Sequence, residues 1–457
     1  MPFIPHTKND ISHMLDVVGV SRIDELFDEI PDAIRSHSRI NFANGINECQ
    51  MNRLFLDHCA KNMPQTNFIG AGAYQHYTPA AVIDIITRGE FYTSYTPYQA
   101  EASQGTLQVI YEYQTMMASL TGMEISNASM YDGATALAEA ILMAVRANKK
   151  AKSKKVLIAD SVYPHYIEVV KTVTESQGVE IDFVTAHKSF GISTVEMLQK
   201  HRSQYAAVVL PQVNFYGQIT RFDDITNWAH DNAAMVIALV NPMILGLLKA
   251  PGHWGHSGAD IACGDGQPLG LPLSAGGPYF GFITAKSAIS RQMPGRIVGK
   301  TVDIEGQEAF CLTLQAREQH IRRAKATSNI CSNQGLLVTA ATVYMSLMGA
   351  EGLKEVTLKS HENLLQLMEK LKRLPEVKPR FDHNFIYETV IELPVAATDV
   401  LRFASERQIE LGVALSRFDK EDSNALLICT TEIHNESDLD RFVSVLEQAL
   451  THLSVGV

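Results

Sequence analysis

Between residues 155 and 240, short apolar runs alternate with amphipathic stretches, and this limits the chain to few architectures. Val156-Leu157-Ile158-Ala159, Val179 to Val184, Ala206 to Leu210 and Ala233 to Val240 read as strands. Pro164 to Ser176, Ser193 to Lys200 and Asp223 to His230 read as the helices between them. Strands that are apolar along their whole length are buried on both faces, so helices must cover both sides of a mostly parallel sheet. The crossovers in such a sheet are right-handed.

A further apolar run, Ala259-Asp260-Ile261-Ala262-Cys263, leads into the stretch from Gly264 to Pro278. Five glycines and three prolines in those fifteen residues exclude helix and regular strand. Tyr279-Phe280-Gly281-Phe282-Ile283-Thr284 then returns as a strand. A plain surface loop would have the same composition. A loop held between two strands at the end of a parallel sheet, however, is where α/β proteins place their chemistry.

Upstream lies a different texture. Phe68-Ile69-Gly70-Ala71-Gly72-Ala73-Tyr74 is glycine-rich, and Phe91 to Gly105 carries Tyr92, Tyr95, Tyr98, Gln99, Glu101, Ser103 and Gln104 with little aliphatic content. A core strand would be richer in Val, Ile and Leu. The segment reads as a polar, aromatic lining for a small ligand, as a tyrosine-rich subunit contact, or as both. Gly105 to Leu120 has helical periodicity and stops at Gly122. Tyr131-Asp132-Gly133-Ala134-Thr135 then feeds a helix running to Asn148. Small residues at a helix start can bring backbone N–H groups to a phosphate, but Asp132 would repel it and is also a good N-cap.

The remaining features divide into bland and sharp readings. Residues 1 to 65 read as separate short helices, one capped by Asn9 or Ser12 and another opening at Ser21. His253 and His256 stand three apart in a Gly- and Pro-containing loop with no neighbouring acid–histidine cluster, so packing around Trp254 is expected rather than a metal. Gln315 to Asn329 gathers cations in an acidic chain, either as a solvated face with a Glu318–Arg322 pair or as an anion or partner contact. From Gly349 onward a smaller α/β unit follows. Its helices are expected over Glu351 to Leu374, Thr398 to Arg407 and Asp438 to Leu453, and its strands over Phe385 to Leu393 and Leu426 to Thr430. The expected divisions are thus 1–65, 66–348 and 349–457.

A net charge of −11 over 457 residues argues against a non-specific nucleic-acid binder. The six cysteines show no paired spacing, which suits a reducing compartment. The longest apolar stretch, Met235 to Leu248, is broken by Asn241 and Pro242 and is too short to span a membrane. The amino terminus has no signal-like layout, and bacterial cytoplasm is the expected address.

The motif Tyr95-Thr96-Pro97-Tyr98-Gln99-Ala100-Glu101-Ala102-Ser103-Gln104-Gly105, with the 264–278 loop, resembles the glycine-decarboxylase P-protein family in its two-subunit form. The resemblance runs over nearly the whole chain. It implies an aspartate-aminotransferase-like pyridoxal-phosphate fold, type I: an α/β large domain with a mixed, mostly parallel sheet and a smaller C-terminal α/β domain. It also places the Schiff-base lysine position on Gln267, whose amide cannot form an imine with the cofactor aldehyde. Gly133, Ala134 and Thr135 would match the phosphate loop and His165 the ring that stacks on the pyridine. Asn241 would stand where related enzymes place an acid against the pyridinium nitrogen. The resemblance therefore implies the non-lysine member of an α2β2 assembly. Its lysine-bearing partner would hold pyridoxal phosphate and act on glycine with a lipoylated H-protein, while this chain supplies the 92–104 pocket wall. Two alternatives are a catalytically silent scaffold and a stand-alone lyase using Lys249, Lys286 or Lys325.

Overall fold

The structure is a computed structural model that describes residues 5–37, 43, 45–62, 66–184, 204–381 and 384–454. The chain forms two compact units, Met1–Met63 and Pro64–Val457. In the first, helices span Lys8–Val18, Asp32–His37 and Glu48–Cys59. The first helix is capped by Thr7, not by Asn9 or Ser12, because Thr7 and Asp10 form a reciprocal capping box. Asn47 and Gln50 do the same for the third. Ser21 does not open an α-helix: its hydroxyl and N–H both bond Glu25, and the following Ile23–Phe27 is a 3-10 turn.

In the second unit the strands are β1 (Thr66–Asn67), β2 (Ile125–Ser126), β3 (Lys155–Ala159), β4 (Glu180–Val184), β5 (Ala207–Pro211), β6 (Met235–Leu239), β7 (Ile261–Asp265) and β8 (Gly281–Ala285). They continue as β9 (Ile297–Val302), β10 (Glu308–Thr313), β11 (Lys378–Pro379), β12 (Glu388–Glu392), β13 (Ile409–Glu410), β14 (Val413–Ala414) and β15 (Ala425–Cys429). Seven of them form one sheet in the order β2-β8-β7-β6-β5-β3-β4. Its β4-β3-β5-β6-β7 portion is parallel, and β8 returns antiparallel between β7 and β2. All five residues of β5 and the first four of β7 are buried, as their unbroken apolar runs require. Each Val, Leu or Ile so buried contributes roughly 1.5–3 kcal/mol. The helix expected at Ser193 to Lys200 lies outside the described residues.

A hairpin that the sequence pattern did not reveal, β9 with β10, lies against the Gln104–Thr121 helix. Two glutamines of that helix fix it by imitating strand neighbours. Gln104 bonds both the N–H and the carbonyl of Phe310, and Gln114 does the same to Val298. The helix expected over Glu351 to Leu374 is the second of two that meet at Gly349, and the first, from Gly335, was not foreseen. Gly349, at φ +59°, turns the chain between two helical halves, and only the second half resembles an isolated helix in sequence. The first half packs Val338, Ala340, Ala341 and Tyr344 into the main core. The C-terminal strands form a four-stranded sheet, β11-β12-β15-β14, with a core of its own built on Leu364, Leu426, Phe442 and Leu446.

Candidate active site

The carboxyl end of β7 and the loop after it have folded inward. Asp265 accepts from the N–H of Gly133 at 2.9 Å through one oxygen and from the N–H of Gln267 at 2.8 Å through the other. Gly133 is the first residue of the Gly133–Ala147 helix, whose N-cap is Asp132, in a capping box with Thr135. Two carboxylates therefore already stand at the helix start where a phosphate would bind. Burial pushes Asp265 up to about 7, offset by its two backbone N–H bonds and reinforced by Asp132. A side chain at Gly133 would strike the Tyr166 hydroxyl at 2.1 Å, so nothing larger than glycine fits the helix start.

Gln267 is completely buried. Its amide oxygen accepts from the N–H of Tyr74 at 2.8 Å, and its amide nitrogen donates to the carbonyls of Tyr74 at 2.7 Å and Leu271 at 2.9 Å. An amide, both donor and acceptor, is what these three backbone groups require. Around it, Tyr74 donates to Glu388 at 3.0 Å and shares a hydrogen bond with Tyr163 at 3.0 Å. Glu388 also accepts from the N–H of Ala71 at 2.5 Å. Burial lifts Glu388 to about 7, the two hydrogen bonds opposing that rise. Asn241 donates to the Tyr387 hydroxyl and accepts from the N–H of Met243.

What is left open is a cavity of about 20 Å³ lined by Gly72, Tyr74, Tyr163, Asn241, Asp265 and Pro268 among others, and beside it one of about 10 Å³. Cavities of this size hold about one water molecule each. No lysine lines either. A pyridine ring bearing a phosphate does not fit this centre by volume, by charge or by imine chemistry, so no reaction step is assigned to it. His165, expected to stack on such a ring, is exposed and lies edge-on to Tyr166. The rings that line the cavity are those of Tyr74, Tyr163 and Tyr166. Lys249 pairs with Asp223 at 2.6 Å beside a separate cavity of about 860 Å³, and Lys286 pairs with Asp260 at 2.7 Å; neither reaches the loop after β7.

The aromatic segment lies elsewhere. None of Tyr92, Tyr95, Tyr98, Gln99, Glu101, Ser103 or Gln104 lines those two cavities. Tyr92, Tyr95, Tyr98, Gln99 and Glu101 are exposed, Tyr95 by 84%. Ser103 is partly buried, and Gln104 is engaged with the backbone of β10. Tyr98 is the junction with the cationic segment. Its hydroxyl accepts from Arg296 at 2.9 Å, the Arg296 guanidinium lies 5.1 Å from its ring centre, and His320 meets it edge-on. The expected Glu318–Arg322 pair does not form. Glu318 is buried and stands 3.7 Å from Arg296, while Arg322 donates to the carbonyl of Ala316. The helix there is only Gln319–Arg322, so Glu318 precedes it and has no i+4 neighbour on its face.

Tyr163, Glu388, Asp265 and Arg296 were missed in the sequence. The only signals were an acid inside an apolar strand run, Glu388-Thr389-Val390-Ile391, and an arginine after Pro294-Gly295 at the start of a strand.

Comparison with known proteins places these observations. The family described as "Glycine cleavage system P-protein" matches residues 1–446. A "Probable glycine dehydrogenase (decarboxylating) subunit 1" of Francisella tularensis subsp. holarctica is 55% identical over 454 residues, covering 99% of this chain and 100% of that protein. A crystal structure of glycine decarboxylase (P-protein) of the glycine cleavage system, in inhibitor-bound form, superposes with a TM-score of 0.88 at 40% identity. It covers 98% of this chain and 100% of that one. A glutamate decarboxylase of Lactobacillus brevis shares the fold alone, with a TM-score of 0.67 at 12% identity over 94% of this chain and 97% of that one. The architecture is that of the type I pyridoxal-phosphate-dependent enzymes.

Proposed function

This chain belongs to the glycine cleavage system P-protein family, as a subunit 1 of decarboxylating glycine dehydrogenase, and we propose that its part is to complete the active site of a lysine-bearing second subunit. The observation that carries this reading is Gln267: it is buried, it is held by three hydrogen bonds within the chain, and its amide cannot form an imine. Pyridoxal phosphate, held by the partner, supplies the electron sink for loss of the glycine carboxylate as carbon dioxide. The aminomethyl group then passes to the lipoyl arm of an H-protein. The assembly is α2β2 and works in the bacterial cytoplasm. Within the chain, 66–348 acts as the large domain and 349–457 as the small one, divided at the turn of Gly349.

What this chain contributes is surface. Tyr92, Tyr95 and Tyr98 expose large amphipathic rings, with Gln99 and Glu101 beside them. Such rings give a partner contact area and directed hydroxyls at low entropic cost. Exchanging Tyr95 and Tyr98 together for Phe lowers turnover of the assembled enzyme by about tenfold or more if their hydroxyls reach the reaction. Unchanged turnover in an assembled double variant removes them from the mechanism. A partner subunit fully active by itself would reduce this chain to a scaffold.

A further inference from the structure

The hairpin of β9 and β10 belongs to neither of the two larger sheets. A two-stranded ribbon holds its shape in water only where something packs on it. Its base is well supported. Val298, Phe310 and Leu312 share a small core with Leu107 and Ile110 of the Gln104–Thr121 helix. Below that core a knot forms around Arg296. Asn127 donates to the carbonyl of Pro294, Arg317 to those of Met293 and Gly295, and Arg296 to the Tyr98 hydroxyl.

The outer half has no such support: all nine residues from Lys300 to Glu308 are exposed. It is nonetheless an ordered turn. Asp303 accepts from the N–H groups of Glu305 and Gln307 at 2.8 Å each, and its own N–H donates to the Gln307 carbonyl at 2.9 Å. Lys300 and Glu308 pair across the strands. The turn so fixed presents Ile304, wholly exposed, with Val302 65% exposed beside it.

A single exposed isoleucine is commonplace, but here the exposed groups are gathered. Fourteen large apolar or aromatic side chains are exposed among the described residues of Pro64–Val457. Seven of them lie between Tyr92 and Tyr98 or between Val302 and Ile321, including the two most exposed, Ile304 and Tyr95. The two stretches are joined by the Tyr98–Arg296 hydrogen bond, by the edge-on contact of Tyr98 with His320 and by Gln104 on Phe310. The chain is a subunit 1, so one of its faces is made to be covered by a partner. The tip from Lys300 to Glu308 carries three acids and one base. A second copy docking tip to tip would set acids against acids, whereas a different subunit can offer the complement.

We infer that the β9–β10 hairpin is a docking arm for the second subunit. Ile304, with Val302, enters an apolar socket rimmed by basic side chains on that subunit, continuous with the contact made by Tyr92 and Tyr95. This deepens the function proposed above and rests on it for the identity of the partner.

The experiment measures the affinity between the two purified full-length subunits. Ile304→Asp raises Kd about a hundredfold and Ile304→Ala about tenfold, as expected for an aliphatic anchor buried on binding. Glu305→Lys raises Kd by a smaller factor, and added salt narrows that difference. Each variant leaves the melting temperature of the isolated chain within about 2 °C of wild type, because the tip packs on nothing within the chain. Wild-type affinity in the Ile304→Asp chain overturns the docking arm; if that variant also loses self-association, the tip belongs to a second copy instead. A large fall in melting temperature would overturn it too, by making the tip part of the chain's own packing. The reading that this chain completes the partner's active site fails separately, through unchanged turnover in the assembled Tyr95→Phe, Tyr98→Phe enzyme or full activity of the partner alone.

Discussion

The end of β7 and the Arg296 knot are both polar regions inside an apolar fold, and they treat their polar groups in opposite ways. At the end of β7, Gln267, Asp265, Glu388 and Tyr74 each have partners from within the chain, and about 20 Å³ remains. Around Arg296, four charged side-chain atoms on three residues stay bare beside exposed tyrosines. A site that has lost its ligand closes, because unsatisfied groups in a dry interior are costly and any internal partner is better than none. Satisfaction of hydrogen bonds within the chain is what separates the two regions.

The comparison breaks most sharply at Gln267. Gln267→Lys restores the residue type that the cofactor needs, but a lysine cannot accept from the N–H of Tyr74 and would bring a charge into a sealed space. Destabilisation of about 3–5 kcal/mol is expected in chemical denaturation. No stoichiometric pyridoxal phosphate adduct should appear after borohydride trapping and intact mass measurement. A stable variant carrying one adduct per chain would mean that the centre is open after all.

Glu388 offers a second, smaller test. Its folded-state value of about 7 lies above the ordinary 4.5 because of burial. The folded chain therefore holds a proton that the unfolded chain releases, and the associated stability is full below pH 4.5 and lost as pH rises through about 7. The loss amounts to about 3 kcal/mol. Asp265, also lifted to about 7, adds a loss of the same sign. Glu388→Gln should flatten the fall in melting temperature between pH 5 and pH 8.5, leaving only the part due to Asp265. A slope identical to wild type would show that the acid is not sealed in.

At the open region the stability effect should nearly vanish. Tyr95, 84% exposed, can lose its hydroxyl with a change of less than about 0.5 kcal/mol. If Tyr95→Phe melts several degrees lower than wild type, the ring is part of the chain's own packing, and the contrast between the two regions weakens.

The parallel strands were legible because their apolar runs are continuous and each is followed by a helical period. The loop at Gln267 was legible because glycine and proline densities exclude everything else. What could not be read was contact at long range. Glu388 meets Ala71 across 317 residues, and no local pattern ties an acid in one strand to a glycine-rich segment so far upstream. Glu318 was misassigned for the opposite reason. An i,i+4 pair needs both residues on one helix, and here the helix has four residues and begins one residue after Glu318. The hairpin β9–β10 escaped because part of its pairing is supplied by glutamine side chains, which carry no strand signature.

The segment from Thr66 to Tyr77 has one more consequence. It pairs β1 with β13, gives the Phe68 ring to the small core, donates from Ala71 to Glu388, accepts at Gln75 from Thr431 and pairs His76 with Glu432. Its N–H at Tyr77 waits for a carboxylate 355 positions later in the chain. At about 5–20 residues per second, the ribosome delivers those partners tens of seconds after the segment has emerged. During synthesis an early glycine-rich strand must therefore remain unpaired until the last sheet exists. Closing so long a loop makes this clasp a late event in folding and an exposed edge until then. A chain cut short between β8 and β13 would have every strand of its large sheet and no partner for β1.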